Sequence, residues 1–290
     1  LKLNLVNPAR DPAYMRNRLS YDLFRNFGGP GQPRLAPTNL WTEVFVNGKY
    51  FGLFEAMPAI RSEWLGLDPY QDGEVDPALV YKAQSTPVSL VNRDMMRQTE
   101  PSRRHGHFPD PAVELALFIE KATRDEFAAG IGQKLDLDNV MDFHLLLDVT
   151  ENYNGWPFKF PIHDILVRPA GATNRFFLVP YDFDTTWDPT PIGFYHSYVF
   201  QRLLTEYPGY PDQLARRWRE LRQGPLDLAR LEAQVYAYRD LLADYEYWDN
   251  QRWQRYPDMT YEKRVQRLLS MMRHRIEQLD VRFGGPTANP

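Results

Sequence analysis

The sequence predicts an α+β fold, with strands concentrated in the first third of the chain and helices in the remainder. The first third contains the sequence pattern of a β-hairpin, with its turn at Asn47-Gly48. Long segments with helical apolar spacing fill most of the chain beyond residue 198. One short apolar hairpin interrupts the helical part and ends on two aspartates. This separation of strands and helices along the chain is typical of α+β proteins.

Composition excludes several classes of protein. The 290 residues are 43% hydrophobic and 25% charged, as in ordinary globular chains. A net charge of -4 argues against non-specific electrostatic binding of nucleic acid, so no nucleic-acid partner is expected. No apolar stretch approaches the roughly 18 residues that a transmembrane segment requires. The absence of Cys excludes disulfides, thiolate nucleophiles and Cys-based zinc sites.

The first two elements are a strand and a helix. Leu1 to Val6 alternates as a strand with no lead-in, which indicates a trimmed or mature fragment that lacks any targeting segment. Asp11 at the N-cap and Pro12 at the first helical position predict a helix start, and Gly28 predicts its end. The apolar residues between them recur at every fourth position: Met15, Leu19, Leu23 and Phe27.

The next segments are strands joined by loops. Trp41 to Phe54 predicts a hairpin, because Asn47 and Gly48 can both adopt the positive φ that its turn requires. Residues 79–83 predict another short strand. Residues 84–111 are polar and are expected to be irregular.

The remainder is predicted to be helical apart from one hairpin. Residues 112–123 and 137–150 have helical spacing, and residues 165–167 and 175–179 suit the two strands of the hairpin. The later helices are predicted at 198–206, 212–221, 227–247 and 261–283.

The hairpin ends on an acidic pair. Pro180 ends the strand 176–179 because it has no N–H to donate. If the chain stays extended, Asp182 and Asp184 lie on one side and Phe183 on the other. Two such carboxylates are costly unless a cation or a shared proton separates them, and Mg²⁺ prefers sites of this kind. The alternative is a pair of solvated turn acids.

Short motifs occur in a fixed order over most of the chain. They are Leu3-Asn-Leu5, Asp11 to Leu19, Tyr21 to Phe24, Val46 to Phe54, Val80-Tyr-Lys82, Asn152-Tyr-Asn154, Val179 to Asp184 and the region Trp248 to Trp253. In their order and spacing these motifs resemble those of the spore coat protein H (CotH) kinase family, an atypical protein-kinase-like group.

The resemblance implies a kinase-like fold with two lobes. Residues 1–111 would form a strand-rich N-terminal lobe, and residues 112–290 a mainly helical C-terminal lobe that contains the metal-binding hairpin. A nucleotide cleft would lie between the lobes, near residues 82, 154 and 182.

The resemblance also implies roles for individual residues, with ATP and Mg²⁺ as cofactors and Mn²⁺ as an alternative ion. Lys82 corresponds to the lysine that holds nucleotide phosphates, a task that suits a compact ammonium charge. Asp182 corresponds to the metal-binding aspartate, with Asp184 beside it. A second metal ligand falls on Lys159 without a gap and on Asp164 with a shifted register, which fits the hairpin better.

The chain departs from the family pattern at the expected catalytic base. Asn154 stands where an Asp would accept the proton of the substrate hydroxyl, and an amide cannot act as a general base. Asp148 and Glu151 are nearby acids, and either could replace the missing catalytic base. Pro58 stands where the family often has a Glu, and Glu55 is the alternative cofactor-binding residue.

Three functions remain open. The first is phosphotransfer from ATP to Ser or Thr of a protein, such as a surface or coat protein. The second is a catalytically degenerate binding or assembly module, or a nucleotide-binding relative with another transfer reaction. The third is a carbohydrate hydrolase that uses Asp182 or Asp184, which explains the many aromatics but not Lys82. By family analogy the setting is bacterial and exported or cell-surface.

Overall fold

The computed structural model describes residues 2–29, 31–83, 96–106, 108, 110–152, 165–171, 174–187 and 197–285. These residues form a mixed structure of strands and helices, which confirms the predicted α+β class. The strands are β1 (Leu3–Val6), β2 (Leu40–Val46), β3 (Lys49–Pro58), β4 (Leu79–Ala83), β5 (Met96–Glu100), β6 (Ile165–Arg168) and β7 (Phe177–Val179). The helices are α1 (Arg16–Phe27), α2 (Ser62–Leu65), α3 (Asp110–Lys121), α4 (Arg124–Lys134), α5 (Leu137–Thr150), α6 (Tyr198–Glu206), α7 (Tyr210–Arg222), α8 (Leu228–Trp253) and α9 (Tyr261–Phe283). No helix among the described residues is long and apolar enough to cross a membrane.

The first sheet has the strand order β1-β3-β2, and both pairings are antiparallel. Its β2–β3 hairpin turns at Asn47 and Gly48, whose φ values are 52° and 74°. Two positive φ angles in succession define the turn that matches the right-handed twist of the strands. The hairpin prediction is therefore confirmed.

The second sheet has the order β5-β4-β6-β7 and is also antiparallel. Across it, Lys82 pairs with Ile165 of β6, and Ile165 pairs with Val179 of β7. The sheet thus joins strands from both sides of residue 111. The division of the chain at that residue stays a prediction, as does the kinase-like two-lobed arrangement.

One large apolar core runs through the described chain, from Ala13 to Phe283. The central helix α5 is buried along almost its whole length and packs against α1, α9 and β7. Helix α9 buries the stripe that the sequence predicted, so it is docked on the core as expected. That stripe consists of Val265, Leu268, Leu269, Met272, Ile276 and Leu279.

The predicted start of the first helix is wrong. Helix α1 begins at Arg16, and Asp11 caps no helix at Pro12. The buried Asp11 carboxylate instead accepts the backbone N–H groups of Ala13 at 2.9 Å and Arg16 at 2.6 Å. Tyr14 between them has φ 62°, so the backbone is left-handed there and cannot continue a helix. A short side chain that bonds its own following backbone favours a turn in this way.

Three elements were not predicted from the sequence. Helix α2 has only four residues, Ser62–Leu65, too few to show an apolar periodicity. Strand β5 lies in the stretch that was expected to be irregular, and its five residues, Met96 to Glu100, lack a clear apolar alternation. Helix α4 carries a weak apolar face but a complete capping box, in which Thr123 and Glu126 bond each other's backbone N–H. Helix α8 also continues to Trp253, six residues beyond its predicted end.

Candidate functional site

The acidic pair is positioned by β7, an edge strand whose outer side is covered by α5. The amide of Asn139 on α5 bonds the backbone of Leu178 in both directions. Leu178 N donates to Asn139 Oδ1 at 2.7 Å, and Asn139 Nδ2 donates to Leu178 O at 3.1 Å. A side-chain amide thus replaces the missing neighbouring strand and fixes the strand from which the pair emerges.

Asp182 and Asp184 converge as predicted, but through a turn and not through an extended strand. Asp182 has φ 66°, a left-handed conformation that breaks the alternation. The two side chains nevertheless lie close enough for the charge of Asp182 to raise the pKa of Asp184, while Phe183 is fully buried. Burial raises the pKa of Asp184, and the nearby charges of Asp182 and Asp11 raise it further. The pair therefore concentrates negative charge that a cation would relieve.

Helix α1 holds the backbone of residues 182–184, here called the acidic turn, through two polar side chains. Asp182 N donates to Tyr21 Oη at 3.0 Å, and Phe183 N donates to Asn17 Oδ1 at 2.7 Å. The rings of Tyr21 and Phe183 also pack edge to face, with their centroids 6.0 Å apart. These bonds pair the backbone N–H groups of Asp182 and Phe183, which stabilises the left-handed Asp182.

Glu55 lies behind the acidic pair on β3 and is fully buried. The other end of the Asn17 amide donates to its carboxyl at 2.8 Å. Burial raises the pKa of Glu55 to about 8, and the charges of Asp11 and Asp184 contribute. This shift favours the protonated carboxyl at neutral pH, and Glu55 is joined through Asn17 to the backbone of the acidic turn. Its predicted role in binding a cofactor stays a prediction.

Lys82 lies at the end of β4 that adjoins the acidic turn. Its Nζ is 4.1 Å from the ring centroid of Tyr181, the residue before Asp182. Both residues line a pocket of about 430 Å³, together with Ile165 and Arg97. The ammonium group of Lys82 therefore contacts the residue that directly precedes the acidic pair.

Two predicted site residues, Asn154 and Asp164, lie outside the described residues. Within the described part of the chain, no group of three or more His, Asp or Glu side chains could hold a metal ion. Asp182 and Asp184 still suit Mg²⁺, which is usually held by one or two protein carboxylates and completed by substrate phosphates and water.

The two acids that could substitute for the missing base are both engaged with α9. Glu151 Oε1 lies 3.1 Å from Arg275 Nη1, and both side chains are buried. Burial raises the pKa of Asp148 to about 6, while Arg282 and Arg275 lower it. These contacts give both acids a structural partner at the end of α5.

Sequence reasoning did not identify Asn17, Tyr21 or Arg97 as site residues. Asn17 and Tyr21 are four positions apart, so they lie on one face of α1, and Asn17 is a polar residue inside a predicted apolar helix. A buried polar residue in such a position needs a partner, which was the available signal. Arg97 gave no signal, because its strand was not predicted.

Comparison with known proteins places these features in a family. The model of the CotH kinase protein family matches residues 1–279. Inner spore coat protein H of Bacillus subtilis (strain 168) is 24% identical over 194 residues. The matched region covers 64% of the chain and 50% of that relative, so the chain spans about half of the relative's length.

Proposed function

Because the chain belongs to the CotH kinase family, we propose that it transfers a phosphoryl group from ATP to Ser or Thr hydroxyls of a protein. Family membership confirms the resemblance that the ordered motifs predicted. The transfer reaction is supported by one observation above all, the adjacency of Lys82 to the acidic turn.

The hydrogen-bonded ladder accounts for this adjacency. Lys82, Ile165 and Val179 are paired in sequence across three neighbouring strands, and Asp182 follows three residues after Val179. An ammonium that can bind phosphate oxygens therefore adjoins carboxylates that can bind a divalent cation. Phosphoryl transfer needs both, because its catalysis consists mainly of positioning and neutralising charge.

The residues of the chain then have distinct tasks. Lys82 binds and orients the nucleotide phosphates as a compact positive charge. Asp182 and Asp184 hold Mg²⁺, or Mn²⁺ as an alternative. The bound ion would neutralise charge on the transferred group. Asn17 and Tyr21 keep the acidic turn in position through its backbone N–H groups.

The main alternative is a nucleotide-binding module that does not phosphorylate protein. Two observations favour it: Asn154 carries an amide where a base is expected, and Glu151 is paired with Arg275. A relative that binds nucleotide but catalyses another transfer, such as nucleotidyl transfer, fits the same observations.

Thermal unfolding with ATP and Mg²⁺ tests the proposed site. Ligand that binds only the folded state stabilises it, by about 2.7 kcal/mol at a hundredfold excess over the dissociation constant. We expect a Mg²⁺-dependent rise in Tm for the unmodified chain, its loss in Asp182→Asn, and an unchanged rise in the exposed control Asp244→Asn. A full rise in Asp182→Asn would overturn the site assignment.

Turnover separates the kinase from the binding module. Transfer of labelled γ-phosphate to a Ser- and Thr-containing protein supports the kinase, and nucleotide binding without any transfer supports the module.

The relative from Bacillus subtilis is named as an inner spore coat protein. We extend the proposal to a surface or coat protein as substrate, in a bacterial exported or cell-surface setting. Labelling confined to cytoplasmic proteins would contradict that extension.

A further inference from the structure

The pocket beside the acidic turn carries far more positive charge than the rest of the molecule. The net charge of the whole chain is -4. Among the described residues of the lining, the single carboxylate is Glu100, which already bonds Arg61 at 2.9 Å. The cationic side chains of the lining are Lys2, Arg61, Lys82, Arg97, Arg103 and Arg104.

Two of these cations lie on neighbouring strands. Lys82 and Arg97 are directly opposite each other in the β4–β5 ladder, and both line the pocket. Cross-strand neighbours of like charge repel each other. An anion bound beside Arg97 would lessen this repulsion.

The charge also extends beyond what the nucleotide phosphates would contact. Lys82 lies beside Tyr181 at the acidic end of the pocket. Arg97 and Glu100 are three residues apart on β5, a distance of about 10 Å in an extended strand. Arg103 and Arg104 follow in an exposed turn beyond that strand. A triphosphate that binds with Mg²⁺ has much of its charge neutralised already, so the arginines at the far end remain available for a second anion.

We propose that Arg61, Arg97, Arg103 and Arg104, the arginine wall, bind anionic side chains of the protein substrate. The inference rests on the proposed function, because it assigns the substrate of the same site. The shared ligand chemistry is an oxygen anion on an extended peptide, either a carboxylate or a phosphoserine. Guanidinium groups suit both, since their planar donors can bond two oxygens at once.

Two features favour a peptide over a small anion. Strand β5 is an edge strand of the second sheet, and the wall follows it outward into the exposed turn. The wall runs from Arg97 on β5 to Arg103 and Arg104 in the turn beyond the strand, so an extended peptide could contact several of its cations, whereas an isolated phosphate would contact one end only. The wall would therefore select substrates that carry anionic residues near the acceptor hydroxyl.

Peptide binding measured by fluorescence anisotropy, without nucleotide, tests the arginine wall. Three labelled Ser-containing peptides differ only in flanking residues: Glu, phosphoserine or Gln. We expect the Glu or the phosphoserine peptide to bind, the Gln peptide to bind much more weakly, and binding to weaken with salt. Tighter binding of the phosphoserine peptide assigns the wall to phosphorylated substrates, and equal binding assigns it to anionic peptides in general.

The variant is the double substitution Arg103→Ala and Arg104→Ala, at two exposed positions of the turn after β5. The matched control replaces two other exposed arginines, Arg216→Ala and Arg267→Ala. Anionic peptides should bind the first variant about tenfold more weakly, or worse, and the control normally. Equal binding by both, or no anionic peptide bound by the unmodified chain, overturns the inference.

The nucleotide provides an internal comparison. The rise in Tm with ATP and Mg²⁺ should be the same in the Arg103 and Arg104 variant as in the unmodified chain. A loss of that rise in the variant would assign these arginines to the nucleotide and overturn the inference. An unmodified chain that binds anionic peptides but gives no rise with ATP would contradict the proposed function while leaving the peptide site intact.

Discussion

Asn17 Oδ1 accepts the backbone N–H of Phe183 at 2.7 Å, across 166 positions of sequence. The same amide donates to the buried carboxyl of Glu55. One side chain on α1 thus connects the first sheet to the acidic turn at the end of the second. The conformation of the candidate metal ligands depends on this contact as much as on their own strand.

Asn17→Leu should destabilise the fold by roughly 2–4 kcal/mol, because it leaves the buried Glu55 carboxyl and the Phe183 N–H without a partner. The measurement is urea unfolding at neutral pH. Asn26→Leu is the matched control, since Asn26 is exposed on the same helix and should change stability by less than about 0.5 kcal/mol. Equal effects of the two substitutions would show that the Asn17 bonds contribute nothing specific.

Replacement of Asp182 by Gly and by Ala should give proteins of different stability. The residue has φ 66°, which Gly adopts freely and Ala does not. We expect Asp182→Gly to be more stable than Asp182→Ala by about 1 kcal/mol in thermal or urea unfolding. Neither should retain the Mg²⁺-dependent response to ATP. Equal stability of the two would mean that the backbone relaxes once the carboxylate is removed.

Asp148 should make stability fall as the pH rises from about 4 to about 6. Burial raises the pKa of this group from 3.8 to about 6, so within that window the folded chain holds a proton that the unfolded chain has lost. The loss should not exceed about 3 kcal/mol and should be complete above the folded pKa. Asp148→Asn removes this component, so its unfolding free energy should decline less over the window. The exposed control Asp138→Asn on the same helix should follow the unmodified chain.

Lys82→Gln should raise the KM for ATP about tenfold or more while leaving the fold intact, because the ammonium is a charge-assisted donor to phosphate. Steady-state transfer kinetics measure the effect, or ATP titration if turnover is absent. The exposed Lys263→Gln serves as control. An unchanged affinity for ATP in Lys82→Gln would place the phosphates elsewhere in the pocket.

Local signals in the sequence predicted much of the fold. The Asn47-Gly48 turn was predictable because few residues tolerate two positive φ angles in succession. The bounds of α5, α6 and α9 agree with their predictions because each helix follows a polar N-cap residue, and in α5 and α9 the side chain of that residue caps a backbone N–H. Strand β5 was missed because a short polar edge strand has no comparable pattern.

The candidate site was predictable only in part, for a different reason. Two acids after a short strand suggested a cation site from local sequence alone. Their support by Asn17 and Tyr21 depends on tertiary contacts between distant segments, which no periodicity reveals. The left-handed Asp182 is held by those contacts, so the condition that the chain stays extended through the acidic pair is not met.

The pairing of Lys82 with Ile165 has a consequence for synthesis of the chain. These residues are about 80 positions apart, so closing the loop between them costs entropy before the pairing gives any return. While the ribosome makes the intervening segment, β4 has one side without its neighbour, and unpaired strand edges promote aggregation. The basic pocket and the acidic turn would therefore be assembled late, once the β6–β7 hairpin has emerged. A nascent chain arrested before that hairpin would be a substrate for chaperones.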